Sequence, residues 1–403
     1  MSRLSRWWIR CLALAVLATA AAPRAAQAIP AWARKYNMNC SGCHYPVVPR
    51  LNAEGLAFKW AGYRMPDEIG TKVDVQKIEN YLAARGITRY TYSRPRGASA
   101  DTNAFHLPNA SLFAAGPFGA NYAGYLEFER EEEGTVDLVG QVAGVWGRED
   151  AFGGLRFVRG HLLAGGAVAG LDRPIGIAEL GPIASPTTRA VPFTFAGDQT
   201  GLEASYVIRK RNRTSIGVVN GVLAGGEEME SGLSTKRDAF VTNQLIWDDM
   251  GGGLTAAAYV GSVAGLSEDA PEATSRYLRL TASANRYLGP VELGTGIVYG
   301  RDRDLPLGET SPFVSSTMRG TAYWFSGGYI LPKRYWTVYG RYERLDPDRD
   351  AQDQAVHRLV FGSVLPVNIP EYLRFGVEYV RDAGTFTGAA RRQGVNLEAL
   401  LAF

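Results

Sequence analysis

Long apolar runs and cysteine are both scarce in this 403-residue chain. Beyond residue 28 no stretch reaches the 18 or more uninterrupted apolar residues that a membrane-spanning helix requires, so a membrane role has to be played by strands. Cysteine occurs at positions 11, 40 and 43 alone, too few for a disulfide-stapled scaffold. A surplus of one charge is missing as well. The chain holds 43 basic and 40 acidic side chains, and the excess sits at the start, where Arg3, Arg6, Arg10 and Arg24 stand among no acids. Without residues 1–28 the balance is 39 to 40, which gives no footing for nucleic-acid binding. No phosphate-cradling glycine loop and no metalloprotease pair of histidines occurs.

What is present divides into three parts. Arg3, Arg6 and Arg10 form a positive region, Cys11 to Ala22 an apolar core, and Ala26-Gln27-Ala28 a small-residue cleavage site. That is the pattern of an export signal over residues 1–28, and Cys11 leaves with it. Residues 29–80 are short-helical in pattern, with Pro30 suited to a first helical position. From about Tyr81 to Phe403 the period changes to two.

Glycine (47), tyrosine (20) and tryptophan (8) are abundant, as suits many strands joined by turns. Leu126 and Phe128 alternate with Glu127 and Glu129. At the end, Val395, Leu397, Ala399, Leu401 and Phe403 alternate with Asn396 and Glu398. Sixteen strands are predicted, near 82–93, 104–115, 120–130, 135–146, 154–163, 199–209, 213–223, 238–248, 253–262, 275–287, 290–300, 317–330, 334–345, 354–365, 371–381 and 391–403. Connections after even-numbered strands are tight, as at Gly116-Pro117-Phe118-Gly119 and Gly289-Pro290. Those after odd-numbered strands are longer, with 164–198 the longest and 301–316 next. Short turns on one side and long external loops on the other are the asymmetry of outer-membrane barrels. The fold class expected is an all-β, 16-stranded outer-membrane β-barrel (81–403) behind a small α-helical segment (29–80), with membrane lipid around it.

The second segment carries the sharpest motif, Asn39-Cys40-Ser41-Gly42-Cys43-His44. Two cysteines two residues apart and followed at once by histidine form the attachment motif of c-type haem. Cys40 and Cys43 would bond the porphyrin and His44 would be the proximal iron ligand. A disulfide is the bland reading of the same pair. Leu51, Leu56, Phe58 and Trp60 supply apolar surface expected to close over one face of the porphyrin. A segment this short is below the size that builds a robust core unaided, so the expectation is one haem c in or at the barrel lumen, with the wall completing the pocket. The apolar band of the membrane, about 25 Å tall, insulates a haem left on the periplasmic side from extracellular carriers. A haem inside the lumen is not insulated in that way.

Ala28-Ile29-Pro30-Ala31-Trp32-Ala33-Arg34 and Cys40 to His44, followed by the sixteen-strand pattern, resemble the monohaem cytochrome–porin fusions of the outer membrane associated with iron-oxidising bacteria. The resemblance covers the whole chain in architecture and residues 28–65 in motif. The family generally has Phe where Trp32 stands and Gln-Thr-Gly where Lys35-Tyr36-Asn37 stand. Related fusions share Leu51-Asn52, Gly55 and Gly62-Tyr63. The resemblance implies electron transfer between an extracellular donor, Fe(II) among the candidates, and a periplasmic c-type cytochrome. The alternative is a solute porin whose haem segment acts as plug, gate or redox sensor.

Met65, 21 residues after His44, is the first candidate for the distal iron ligand, and methionine there raises the haem potential. Met38, His106, His161 and His357 are the others, beside an open or water-bound site. Loop carboxylates cluster at Glu131-Glu132-Glu133, Glu227-Glu228-Met229-Glu230, Glu268-Asp269, Asp302 with Asp304, and 346–350. They read as solvated turns or lipid-bridging sites, with cation gathering at the entrance as the competing reading.

Overall fold

In a computed structural model the period-two half of the chain closes on itself. The structure describes residues 31–73, 77–95, 101–131, 134–160, 175–222, 236–267, 272–307, 313, 315–331, 335–351, 355–368, 372–383 and 392–402. The predicted leader, His161 and the acidic clusters at 227–230 and 268–269 lie outside them.

The strands are β1 (Leu82–Pro95), β2 (Thr102–Pro117), β3 (Tyr122–Glu131), β4 (Val136–Arg148), β5 (Ala151–Gly160) and β6 (Gln199–Ile208). Then come β7 (Asn212–Asn220), β8 (Arg237–Ile246), β9 (Gly253–Ala264), β10 (Thr274–Leu288) and β11 (Val291–Arg303). The last are β12 (Thr317–Ile330), β13 (Thr337–Asp346), β14 (Val356–Asn368), β15 (Tyr372–Ala383) and β16 (Arg392–Ala402). Each pairs antiparallel with its neighbours, and β1 meets β16 with Arg89 opposite Glu398, so no edge is left open. The short turns, such as 149–150 and 289–290, share one end of the barrel with the start of β1. They mark that end as periplasmic.

Two solvents explain the alternation. Phe157, Phe325, Phe361 and Phe375 are 47–57% exposed on the outer face. Each would forgo roughly 1 kcal/mol or more of burial if that face met water, and a belt of them fits only hydrocarbon. Their strand neighbours of opposite parity, such as Glu203, Arg279, Glu343 and Glu378, are at most 1% exposed. These polar groups face inward and are paired there.

The inside is filled by two pieces of the same chain. At the periplasmic end sit α1 (Ala31–Tyr36), α2 (Ala53–Trp60) and 3-10 turns at Cys40–Gly42, Pro66–Glu68 and Ile78–Asn80. The other piece is the connection between β5 and β6, including α3 (Gly181–Ala184). Its residues 175–198 were expected to be external and instead fold into the lumen. Wall carboxylates draw the connection in: Glu378 accepts from the backbone N–H of Ile177 and Ala178, Glu343 from Gly181, and Asp302 from Val191. Phe193 packs between Tyr259 and Tyr277 of the wall, whose hydroxyls both donate to Asp238.

The same contacts correct the expectation for Asp302 and Asp348, while Asp350 is exposed as expected. Asp302 is fully buried, ion-paired to Arg279 at 2.6 Å and hydrogen-bonded by Thr188, and Asp348 holds Arg189 at 2.6 Å. These acids anchor the inward connection. Among the described residues no group of three or more His, Cys, Asp or Glu side chains gathers to hold a cation.

Candidate functional site: a Cys-X-X-Cys-His turn in the lumen

The turn Cys40–Gly42 and the start of α2 are tied together by one side chain. Asn52 caps α2, its Oδ1 accepting from Gly55 N at 2.9 Å, while its Nδ2 donates to Gly42 O at 3.0 Å. Its backbone N–H donates to Cys43 O. Asparagine ahead of a helical run is a capping signal in the sequence, although its second bond to the cysteine turn is not. Close approach is needed on both sides of the turn. A Cβ at Gly55 would meet Cys43 O at 2.2 Å, and one at Gly42 would meet Met38 Cε at 2.6 Å.

Cys40 and Cys43 are free and half-buried, one turn apart, with the exposed Asn39 and Ser41 on either side of Cys40. Burial pushes the Cys43 thiol up to about 11, with Glu54 adding to the shift, and raises Cys40 as well. Both are therefore protonated thiols in the metal-free chain. His44 Nδ1 lies 3.0 Å from Arg50 O, a carbonyl that fixes Nδ1 as the donor and makes Nε2 the unprotonated nitrogen of the neutral ring. Burial pushes its pKa down to about 4, partly offset by the carbonyls of Arg50 and Pro49, so the ring is neutral. A neutral imidazole with Nδ1–H on a carbonyl is the form whose Nε2 binds a metal. Two thiols at this spacing beside such a ring fit the donor set of a covalent haem c.

The loop after His44 is gripped by the wall. Tyr45 packs edge-on against Tyr287 and Tyr335. Val48 N donates to Tyr372 Oη at 2.9 Å, and Arg374 donates to Val48 O at 2.8 Å. Arg50 pairs with Glu292. At the far end of the segment the buried Arg64 donates to the carbonyls of Gly119, Ala120 and Tyr122 in the β2–β3 turn, at 3.1, 2.5 and 2.7 Å. Nothing in the local sequence announces either arginine, because the partners are remote.

The apolar residues expected to cover a porphyrin face do something else. Leu56 and Trp60 pack with Val145, Phe152, Val207 and Ile246 of the wall, and Phe58 packs with Trp32, Tyr36 and Tyr63. Tyr63 stacks between Trp32 and Tyr125 of β3, with centroids 5.3 and 5.4 Å away. Between α2 and the wall a cavity of about 30 Å³, lined by Trp60, Gln141 and Arg156 among others, has room for about two waters. Trp60 Nε1, buried without a protein partner, borders it.

Of the distal-ligand candidates, Met38 lies on the cysteine turn, and Met65 precedes the 66–68 turn beside Arg64. His106 is engaged with Thr91 and His357 with Tyr342, both toward the long-loop ends of their strands.

No family model and no curated protein matches the chain. Among solved structures it is similar to an anion-selective porin from Comamonas acidovorans, with TM-score 0.56 and 12% identity over 80% of this chain and 98% of that one. It is also similar to Salmonella typhi OmpF in complex with daunomycin (0.55, 11%, 80% and 97%) and to OmpT of Vibrio cholerae (0.53, 10%, 80% and 97%). At these identities the likeness is one of fold. The chain is a porin-like barrel of the bacterial outer membrane, surrounded by membrane lipid.

Proposed function

We propose that this barrel is a porin-type channel closed by its own N-terminal segment, and that this segment carries one covalent haem c and acts as plug, gate or redox sensor. The observation that carries the proposal is the seating of residues 31–73 and 77–80 in the periplasmic half of the lumen, with the Cys40–Cys43–His44 donor set held in that seat. Bound haem would add a one-electron redox centre on Cys40 and Cys43. His44 Nε2 would face its iron, and Met65 remains the residue proposed for the opposite side. The division into a leader (1–28), haem segment (29–80) and barrel (81–403) belongs to this reading.

A second reading is the electron conduit, passing electrons between an extracellular donor such as Fe(II) and a periplasmic c-type cytochrome. The observation favouring it is how fully the two inserts occupy the lumen. One experiment separates the two. The purified full chain is checked for haem by its reduced absorption spectrum and placed in planar bilayers. Conductance steps that change when the haem is reduced support the gate. A barrel that stays sealed in both states, while Fe(II) added outside is oxidised and reduces the ferric haem to its ferrous spectrum, supports the conduit. A chain without haem overturns both.

A further inference from the structure

We infer that Glu292 of the barrel wall, acting through Arg50, positions the imidazole of His44; the inference rests on the haem reading above. His44 and Leu51 are paired as an isolated bridge, so the intervening loop folds back and brings Arg50 O to His44 Nδ1 at 3.0 Å. The same carbonyl also receives Tyr45 N at 3.3 Å. Where that carbonyl sits is decided by the rest of Arg50. Its guanidinium meets Glu292 Oε1 at 2.5 Å, both residues being at most 5% exposed, and lies over the Tyr287 ring at 5.7 Å. Tyr287 and Glu292 stand directly opposite each other across β10 and β11. One strand pair of the wall therefore supplies both the charge and the ring that fix Arg50.

A buried ion pair contributes little net stability against an apolar replacement, because the desolvation cost offsets the attraction. Its better-attested use is registry. Here the register being set is that of an iron ligand. The Glu292 Oε2 atom is buried with no hydrogen-bond partner, a cost of a kind that packing alone gives no reason to carry. The hydrogen bond to the second imidazole nitrogen controls both ring direction and ligand basicity. Seating of the plug and the electronic state of the ligand are thus coupled, and the coupling works in both directions.

The test uses the haem-loaded full chain in detergent. Glu292→Gln and Arg50→Lys are compared with Trp32→Phe, which loses the bond from Trp32 Nε1 to Ala115 O and so loosens the plug at α1. Glu292→Gln is nearly isosteric, and heat-modifiable migration on gels confirms that each barrel is folded. Redox titration and low-temperature electron paramagnetic resonance are the readouts. In Glu292→Gln the iron signal is expected to change. The ferrous-to-ferric ratio at fixed poise should rise about tenfold, the lower end for lost outer-shell partners, as the Nδ1 bond weakens and the ligand becomes less basic. Glu292→Asp should restore much of the original value, and Trp32→Phe should leave it unmoved. If haem is present but its titration is the same in Glu292→Gln, or moves equally in Trp32→Phe, this inference falls and the haem reading stands. Absence of haem removes both.

Discussion

Val47, at the tip of the loop that follows His44, shares one buried cluster with Ile175 at the start of the inward β5–β6 connection, the two being 3% and 7% exposed. Tyr339, Val360, Val364 and Val380 of the wall complete the cluster. The two pieces that fill the lumen therefore share one apolar cluster with the wall. Val47→Ala should weaken plug seating by about 1.5 kcal/mol, two methyl groups' worth of burial. Combined with Ile175→Ala, the loss should depart from additivity by at least about 0.5 kcal/mol, as for residues in contact. Limited proteolysis of residues 31–80 in the folded barrel reads both. Simple additivity would mean that the two pieces act independently.

Arg64 supports the other end of the plug. Three carbonyls of the β2–β3 turn accept from one guanidinium, and hydrogen bonds to a charged donor contribute about 1.5–3 kcal/mol each in isolation. The bonds share one side chain and are not additive, so Arg64→Ala is expected to cost about 3 kcal/mol in plug protection. Arg64→Lys should recover only part of it, because an ammonium lacks the planar fork that reaches all three acceptors. Equal protection in Lys and wild type would reduce the contact to simple charge. Bilayer conductance of the Ala variant should show longer open periods, because the plug lifts from the β2–β3 side first.

How much of this was legible in sequence depends on the range of the interaction. The sixteen strands are legible because each wall residue meets either lipid or lumen, which writes a period of two locally. Leu397 and Glu398 show it within two positions. Boundaries slip where glycine blurs the alternation, as at Gly153-Gly154, where β5 was expected to start and in fact starts at Ala151. The Cys40-to-His44 motif is legible because its two cysteines and histidine fall within five consecutive residues. The inward turn of residues 175–198 is not, since the Asp302, Glu343 and Glu378 that draw it in stand on strands far along the sequence. Polar residues in a long connection look the same whether they meet water or a wall carboxylate. The apolar face of α2 was likewise legible as a face, but its partner was not. Leu56 and Trp60 lie against Phe152 and Ile246, and periodicity carries no information about what an apolar stripe covers.

The His44 ring gives a pH dependence with a definite sign. Its folded pKa of about 4 is below the unfolded value of about 6.5, so between those two values the unfolded segment binds a proton that the seated segment does not. Plug stability in the haem-free chain should therefore fall as pH is lowered from about 6.5 to about 4, and level off below. The full span corresponds to at most about 3.4 kcal/mol at 1.36 kcal/mol per unit. The haem-free chain is made as Cys40→Ala with Cys43→Ala and followed by proteolysis across that window, with His44→Gln as the reference that lacks the titrating group. With haem bound, Nε2 is occupied and the same window should be nearly flat. A slope that persists in His44→Gln would assign the effect to another group.

Gly55 separates helix propensity from packing. In isolation Gly55→Ala should strengthen α2 by about 1 kcal/mol, the ordinary advantage of alanine over glycine inside a helix. The added Cβ, however, would stand 2.2 Å from Cys43 O and 2.9 Å from Leu51 Cδ2. The first contact is backbone, and it belongs to the second cysteine of the motif. Cys43 O also accepts from Asn52 N at 3.0 Å, so it cannot retreat without breaking the bond that joins the turn to the helix. Overpacking of this kind costs typically 1–3 kcal/mol, which outweighs the gain in propensity. The net expectation is a looser plug together with a lower haem content per barrel, because the Cys40–Cys43 spacing is set by the turn that must move. Haem staining against barrel protein, measured alongside proteolysis, checks both. Full haem loading with tighter protection would show that α2 can slide away from the turn, and that the contact between them is not what holds the motif in place.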